Sequence, residues 1–178
     1  MDRRQISVSK RPAAKRPPKS TPEIYWLGLA GFILLCLVAG AIGGSFAAPG
    51  LHQWYASLNK PVWAPPNAIF GPVWMALYLM MGIAAWRVWV ARQAKARRAA
   101  LVLFLVQLGL NVAWPLVFFT MRMPGAAAVE LGLLWLSILA TTVVFFGASR
   151  IAALLMTPYL LWATFAGFLN IAIWRLNG

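Results

Sequence analysis

Acids are scarce in this chain. Asp and Glu together number 3 against 16 Lys and Arg, with one histidine, His52, and one cysteine, Cys36. A single cysteine excludes a disulfide within the chain. So few His, Cys and acidic residues do not assemble the three or four ligands of a metal site, and no metal or cofactor is expected. The same shortage leaves no carboxylate pair and no nucleophile, base and orienter set, so most enzyme classes fall by inventory. Charge of both signs is thin as well. Only 11% of residues are charged and 62% are hydrophobic, where a soluble domain carries roughly a quarter charged residues.

What the chain has in abundance is proline, tryptophan and long apolar runs, with basic residues in large excess over acids. A net charge of +13 fits nucleic acid on its own. The distribution points elsewhere, because the basic residues lie in the first 22 positions or beside apolar runs, where they meet lipid head groups. Membrane lipids are therefore expected as partners and nucleic acid is not. Residues 1–22 carry seven Lys or Arg with Pro12, Pro17 and Pro18 and no apolar period, so this segment reads as a disordered basic tail. The prolines also argue against the amphipathic helix of a mitochondrial targeting peptide.

Residues 23–178 read as one membrane domain. Five apolar stretches run roughly over 24–47, 68–91, 99–120, 125–147 and 150–174, each near the ~20 residues that span a hydrocarbon core. The first is too long for the ~7–15 apolar residues of a signal peptide and is kept as a span. The predicted fold is an all-α integral membrane bundle of five transmembrane helices, with a long Trp- and Pro-rich loop between the first two. Twelve basic residues fall on the side of the N-terminus and three, Lys60, Arg122 and Arg175, on the other. The positive-inside rule then places the N-terminus in the cytoplasm.

The helix faces carry polar and aromatic stripes. Gln107, Asn111, Trp114 and Phe118 share one face of the third span, following the 3.6-residue period. Amides are costly in hydrocarbon unless partnered, so this face turns inward, either as interhelical glue or as a cavity wall. Tyr159, Trp162, Ala166 and Asn170 form a second such stripe in the fifth span, beside Pro158. Trp74, Leu77 and Met81 share a face of the second span. Glu130 is the one acid inside a span. It is a functional candidate by position, although near its helix start it is able to reach the interface or pair with Arg122. Gly40 with Gly44, and Gly109 with Ala113, are small-residue pairs that permit close helix approach. The second pair lies opposite the amide stripe, which suits a dimer contact.

The first loop, "NKPVWAPPNAIFGPVW" at 59–74, is stiffened by prolines that fix φ and lower the entropy lost on ordering. Its indoles present flat apolar surface with an N–H. They serve either as a lid or as anchors at the membrane interface. The blocks "WYASLNKPVWAPPNAIFGPVW", "QLGLNVAWPLVFF" and "PYLLWATFAGFLNIAIWRLN" resemble the translocator protein family, also called tryptophan-rich sensory proteins or peripheral-type benzodiazepine receptors. The resemblance covers about residues 25 to 177.

That resemblance implies a five-helix bundle, expected as a homodimer, whose first loop closes over a cavity. The cavity would bind porphyrins, protoporphyrin IX especially, and other apolar ligands including cholesterol. By motif position, Trp54 and Trp63 match loop tryptophans. Trp74 and Trp162 match the two tryptophans linked in some bacterial members to light- and oxygen-dependent porphyrin breakdown. Asn111 and Trp114 match the third-helix cavity wall, and Tyr159 and Ala166 the fifth-helix side. The cholesterol motif of animal members has a tyrosine where this chain has Ile171, so sterol recognition through that segment is not implied. The functions to weigh are a tetrapyrrole sensor, carrier or buffer, a light-dependent porphyrin-degrading enzyme, and a transporter of sterols or small solutes. The transporter lacks the discontinuous inverted repeats common in that class.

Overall fold

Without water in the bilayer core, a backbone must satisfy its own hydrogen bonds, and a long apolar helix is the local solution. The computed structural model describes residues 22–91 and 94–178, and all of its regular structure is helical. The tail expected at 1–22 falls, apart from Pro22, outside the described residues. Helix α1 runs Pro22–His52, α2 is the single turn Trp54–Ser57, α3 spans Phe70–Trp89 after a 3₁₀ turn at Asn67–Ile69, α4 spans Ala94–Pro115, α5 Pro124–Ala148 and α6 Arg150–Asn177. Five of these, all but α2, are long and apolar enough to cross a membrane.

The spans differ from expectation at one end. The first helix was expected to stop near 47, yet α1 continues through Pro49 to His52. Its last turns are held by a neighbour. Thr120 Oγ1 donates to the Phe46 carbonyl at 2.9 Å, and Gly50 sits so close to the turn after α4 that an added methyl would lie 2.6 Å from the Phe119 carbonyl oxygen. Proline costs a helix one hydrogen bond, and these contacts offset it. The loop is correspondingly shorter, 53–66. A second local feature follows Pro115. The helix widens into a π turn at Leu116–Thr120, then reverses through Arg122, which holds a left-handed φ of 57°.

The helices close a ring in the order α1, α3, α6, α5, α4, with α3 and α4 also touching across it. The side chains follow an inverted logic suited to lipid. Leu34, Val38, Leu133, Leu136, Leu154, Leu161 and Phe168 point outward, while Gln107, Asn111, Thr141 and Asn170 are buried. The inward turn of the third-span and fifth-span stripes is therefore present. Two hydrophobic clusters fill the interior, one along the ring and a smaller one beneath the loop around Tyr55, Phe118 and Leu169.

Candidate functional site

The loop between α1 and α3 is built to hold one shape. Lys60 folds back so that Nζ donates to the carbonyls of Tyr55 at 2.8 Å, Leu58 at 3.1 Å and Ala56 at 3.3 Å. Carbonyls at a helix end are short of intrahelical donors, and Lys60 supplies one; the Tyr55 carbonyl also accepts from Leu58 N–H. Two tight turns follow, closed by Ala64 N–H on Pro61 and Ile69 N–H on Pro66. The Asn177 amide then latches the loop to the end of α6. It accepts from Asn59 N–H and donates to Asn59 carbonyl, both at 2.9 Å. Ring contacts complete the seal, Trp54 on Phe118 at 5.5 Å and Trp63 on Phe165 at 5.9 Å between centroids.

Beneath this roof lies a cavity of about 440 Å³, within the ~300–1,000 Å³ usual for small-molecule sites. Its walls come from α1 (Gly40, Gly43, Gly44), α3 (Phe70, Trp74, Tyr78), α4 and its π turn (Asn111, Trp114, Phe118, Phe119) and α6 (Trp162, Ala166, Asn170), with Tyr55 from the loop. The small residues of α1 make room. At Gly40 a methyl group would collide with the Tyr78 ring. The Gly40–Gly44 pair thus admits an aromatic ring and leaves empty space above it.

Polar groups are few and placed. Tyr78 hydroxyl donates to Asn111 Oδ1, and Asn111 Nδ2 donates to the Tyr159 hydroxyl at 2.7 Å, so one amide joins α3, α4 and α6. Trp114 Nε1 donates to Asn170 Oδ1 at 3.1 Å, and Asn170 Nδ2 donates to the Pro124 carbonyl at 2.7 Å. That chain fixes the Trp114 indole, which stacks on Phe118 at 5.1 Å. Tyr55 is only 3% exposed and its hydroxyl has no partner. Burial pushes its phenol above the usual value of 10.0. Among the described residues no group of three or more His, Cys, Asp or Glu is placed to hold a metal ion.

Of the eight residues singled out from the sequence, Trp74, Asn111, Trp114, Trp162 and Ala166 line the cavity. Trp54 and Trp63 stand in the roof above it. Tyr159 is fully buried behind the wall, where it supports Asn111 and meets Trp74 edge-on at 6.1 Å. Tyr55, Tyr78 and the glycines of α1 were not singled out as cavity residues. Tyr78 lies one turn after Trp74, a signal that was available. Glu130 does not pair with Arg122. Both its carboxylate oxygens, like both polar atoms of Gln107, are buried without a hydrogen-bond partner.

The chain matches the TspO/MBR family over residues 32–175, a range that contains every cavity residue. It is 41% identical over 155 residues to the tryptophan-rich protein TspO of Chlorobaculum tepidum, covering 85% of this chain and 96% of that protein. It is 40% identical over 149 residues to protein CrtK of Rhodobacter capsulatus, covering 83% and 91%. Against the translocator protein of Homo sapiens the identity is 40% over 154 residues, covering 85% and 91%.

Proposed function

The chain belongs to the TspO/MBR family, and from that premise we propose that it binds tetrapyrroles of the protoporphyrin IX type, and other flat apolar molecules, in the cavity beneath its first loop. It is an integral, multi-pass membrane protein. The observation that carries the reading is that Trp74 of α3 and Trp162 of α6 both line one apolar cavity. Two indoles there offer stacking surface to a macrocycle. The free Tyr55 hydroxyl and the amides of Asn111 and Asn170 are the groups that a propionate or carbonyl would meet. The role is sensing, transport or homeostasis of such ligands. The basic tail and the short loops on its side put the N-terminus in the cytoplasm, with the lid on the opposite face. A homodimer through the outward face of Gly109 and Ala113 belongs to the same reading.

A second reading is favoured by the same two indoles. Tryptophans within reach of a bound porphyrin suit light- and oxygen-dependent porphyrin breakdown, in which the substrate itself absorbs the light. One experiment separates the two. Purified protein is titrated with protoporphyrin IX in the dark by tryptophan fluorescence, then illuminated while porphyrin absorbance is followed, for wild type and for Trp74→Phe with Trp162→Phe. Saturable quenching with a stable spectrum is the outcome expected of a binder. Light-driven loss of the spectrum, abolished in the double variant, identifies the degrading enzyme. Absence of saturable quenching removes the tetrapyrrole reading.

A further inference from the structure

Helices α1 and α3 are in tight contact along their lower part and part company above it. A methyl group added at Gly28 would strike the Trp89 ring, one at Gly82 the backbone of Ile33, and one at Gly40 the Tyr78 ring. These pairs run antiparallel, so the next level brings Gly44 opposite the turn around Trp74. There the pattern reverses. A methyl group at Gly44 or at Gly71 meets nothing within 4 Å. Ala41, Gly44, Gly71 and Met75 are exposed although packed between two helices, and the same four residues line the cavity. The wall between α1 and α3 is therefore unfilled at this level, where glycine stands at 44 and 71.

The depth of this opening decides what it opens to. Gly44 lies six residues from the midpoint of its 27-residue span and Met75 three from the midpoint of its 23-residue span, about 9 Å and 5 Å at 1.5 Å per residue, inside the ~15 Å half-thickness of the hydrocarbon core. The opening thus faces acyl chains. The aqueous side is shut by the Asn177 latch, the Lys60 cap and the seats of Trp54 and Trp63.

We propose that the cavity exchanges its ligand sideways with the bilayer, through the window between Gly44 of α1 and Gly71 and Met75 of α3, while the loop stays closed. The inference rests on the reading of this cavity as a ligand site, and it narrows the ligand class to apolar molecules dissolved in the membrane. The occupancy of the site then follows the mole fraction of ligand in the lipid, and a solute confined to water is not admitted.

The test uses the full chain in lipid nanodiscs and donor liposomes loaded with protoporphyrin IX, with stopped-flow tryptophan quenching as the readout. Bulky side chains at Gly44 and Gly71 fit the open space, so Gly44→Phe with Gly71→Phe closes the window. Association and dissociation are both expected to slow by about tenfold or more, as for any site gated by a conformational step. Met75→Ala widens the window and is expected to speed both, a gain that a damaged fold does not produce. Should the double variant fail to fold, Met75→Trp alone carries the expectation of slowing. Wild-type rates in the plugged variants, with faster exchange once Asn177→Ala frees the loop, would overturn the proposal in favour of entry beneath the lid. No saturable quenching in wild type removes the ligand site itself, and the window with it.

Discussion

Asn111→Ala removes a side chain that ties three helices together in the interior. In the native protein Tyr78 donates to its carbonyl oxygen, and its amide donates to Tyr159 at 2.7 Å. Alanine strands two phenolic hydroxyls. Tyr159 is wholly buried, so its hydroxyl has no route to water. Tyr78 borders the cavity, where a water or a ligand group is able to relieve it. A buried polar group left unpaired costs about 1–3 kcal/mol, which applies in full to Tyr159 and in part to Tyr78. Working against this, helices separated within a membrane find other partners, and interhelical hydrogen bonds there average about 0.6 kcal/mol.

The balance is a loss of about 2 kcal/mol, a factor of roughly 30 in the folding equilibrium. Reversible unfolding in mixed micelles would measure it for wild type, Asn111→Ala, Tyr159→Phe and the double variant. Phenylalanine at 159 removes the stranded hydroxyl, so the double variant should be less destabilised than the sum of the singles, by about 1 kcal/mol. Additivity within about 0.3–0.5 kcal/mol, as for sites that do not communicate, would refute the idea that this amide joins the helices energetically.

Two further outcomes follow from the packing. Gly82→Ala places a methyl carbon 2.8 Å from Ile33 Cα and 3.1 Å from its nitrogen. It should force α1 and α3 apart at a cost of about 1–3 kcal/mol and lower the melting temperature in detergent, whereas Gly109→Ala, where a methyl meets nothing, should be neutral or gain up to about 1 kcal/mol. Gln107→Leu replaces a fully buried amide without partners by an apolar side chain of similar size and should stabilise the protein by about 1–3 kcal/mol; a lower unfolding midpoint would mean that an internal water serves the amide.

Much of the architecture is legible from the chain alone, because it depends on solvent and period. Long runs such as 125–147 must become helices in lipid, since no other structure there satisfies its own backbone. The stripe Gln107, Asn111, Trp114, Phe118 must turn inward, since two amides do not pay to face acyl chains. Both are properties of one segment and its surroundings. Pro61, Trp63, Pro65 and Pro66 likewise announce a stiff aromatic loop before any contact is known, although Pro72 and Trp74 of the same block fall in α3.

Other features arise only when distant segments meet. Tyr159 and Ala166 share a helix face, yet one backs the cavity wall and the other lines it. Tyr78 enters because Gly40, 38 residues earlier, leaves space for its ring. The turn at Pro49 persists because Gly50 and Thr120 bind α1 to the π turn, and Glu130 points where Arg122 does not reach it. Period and solvent preference are local, so they are written along the chain. Register and close approach are sums of contacts between helices, and they take their values when the ring closes.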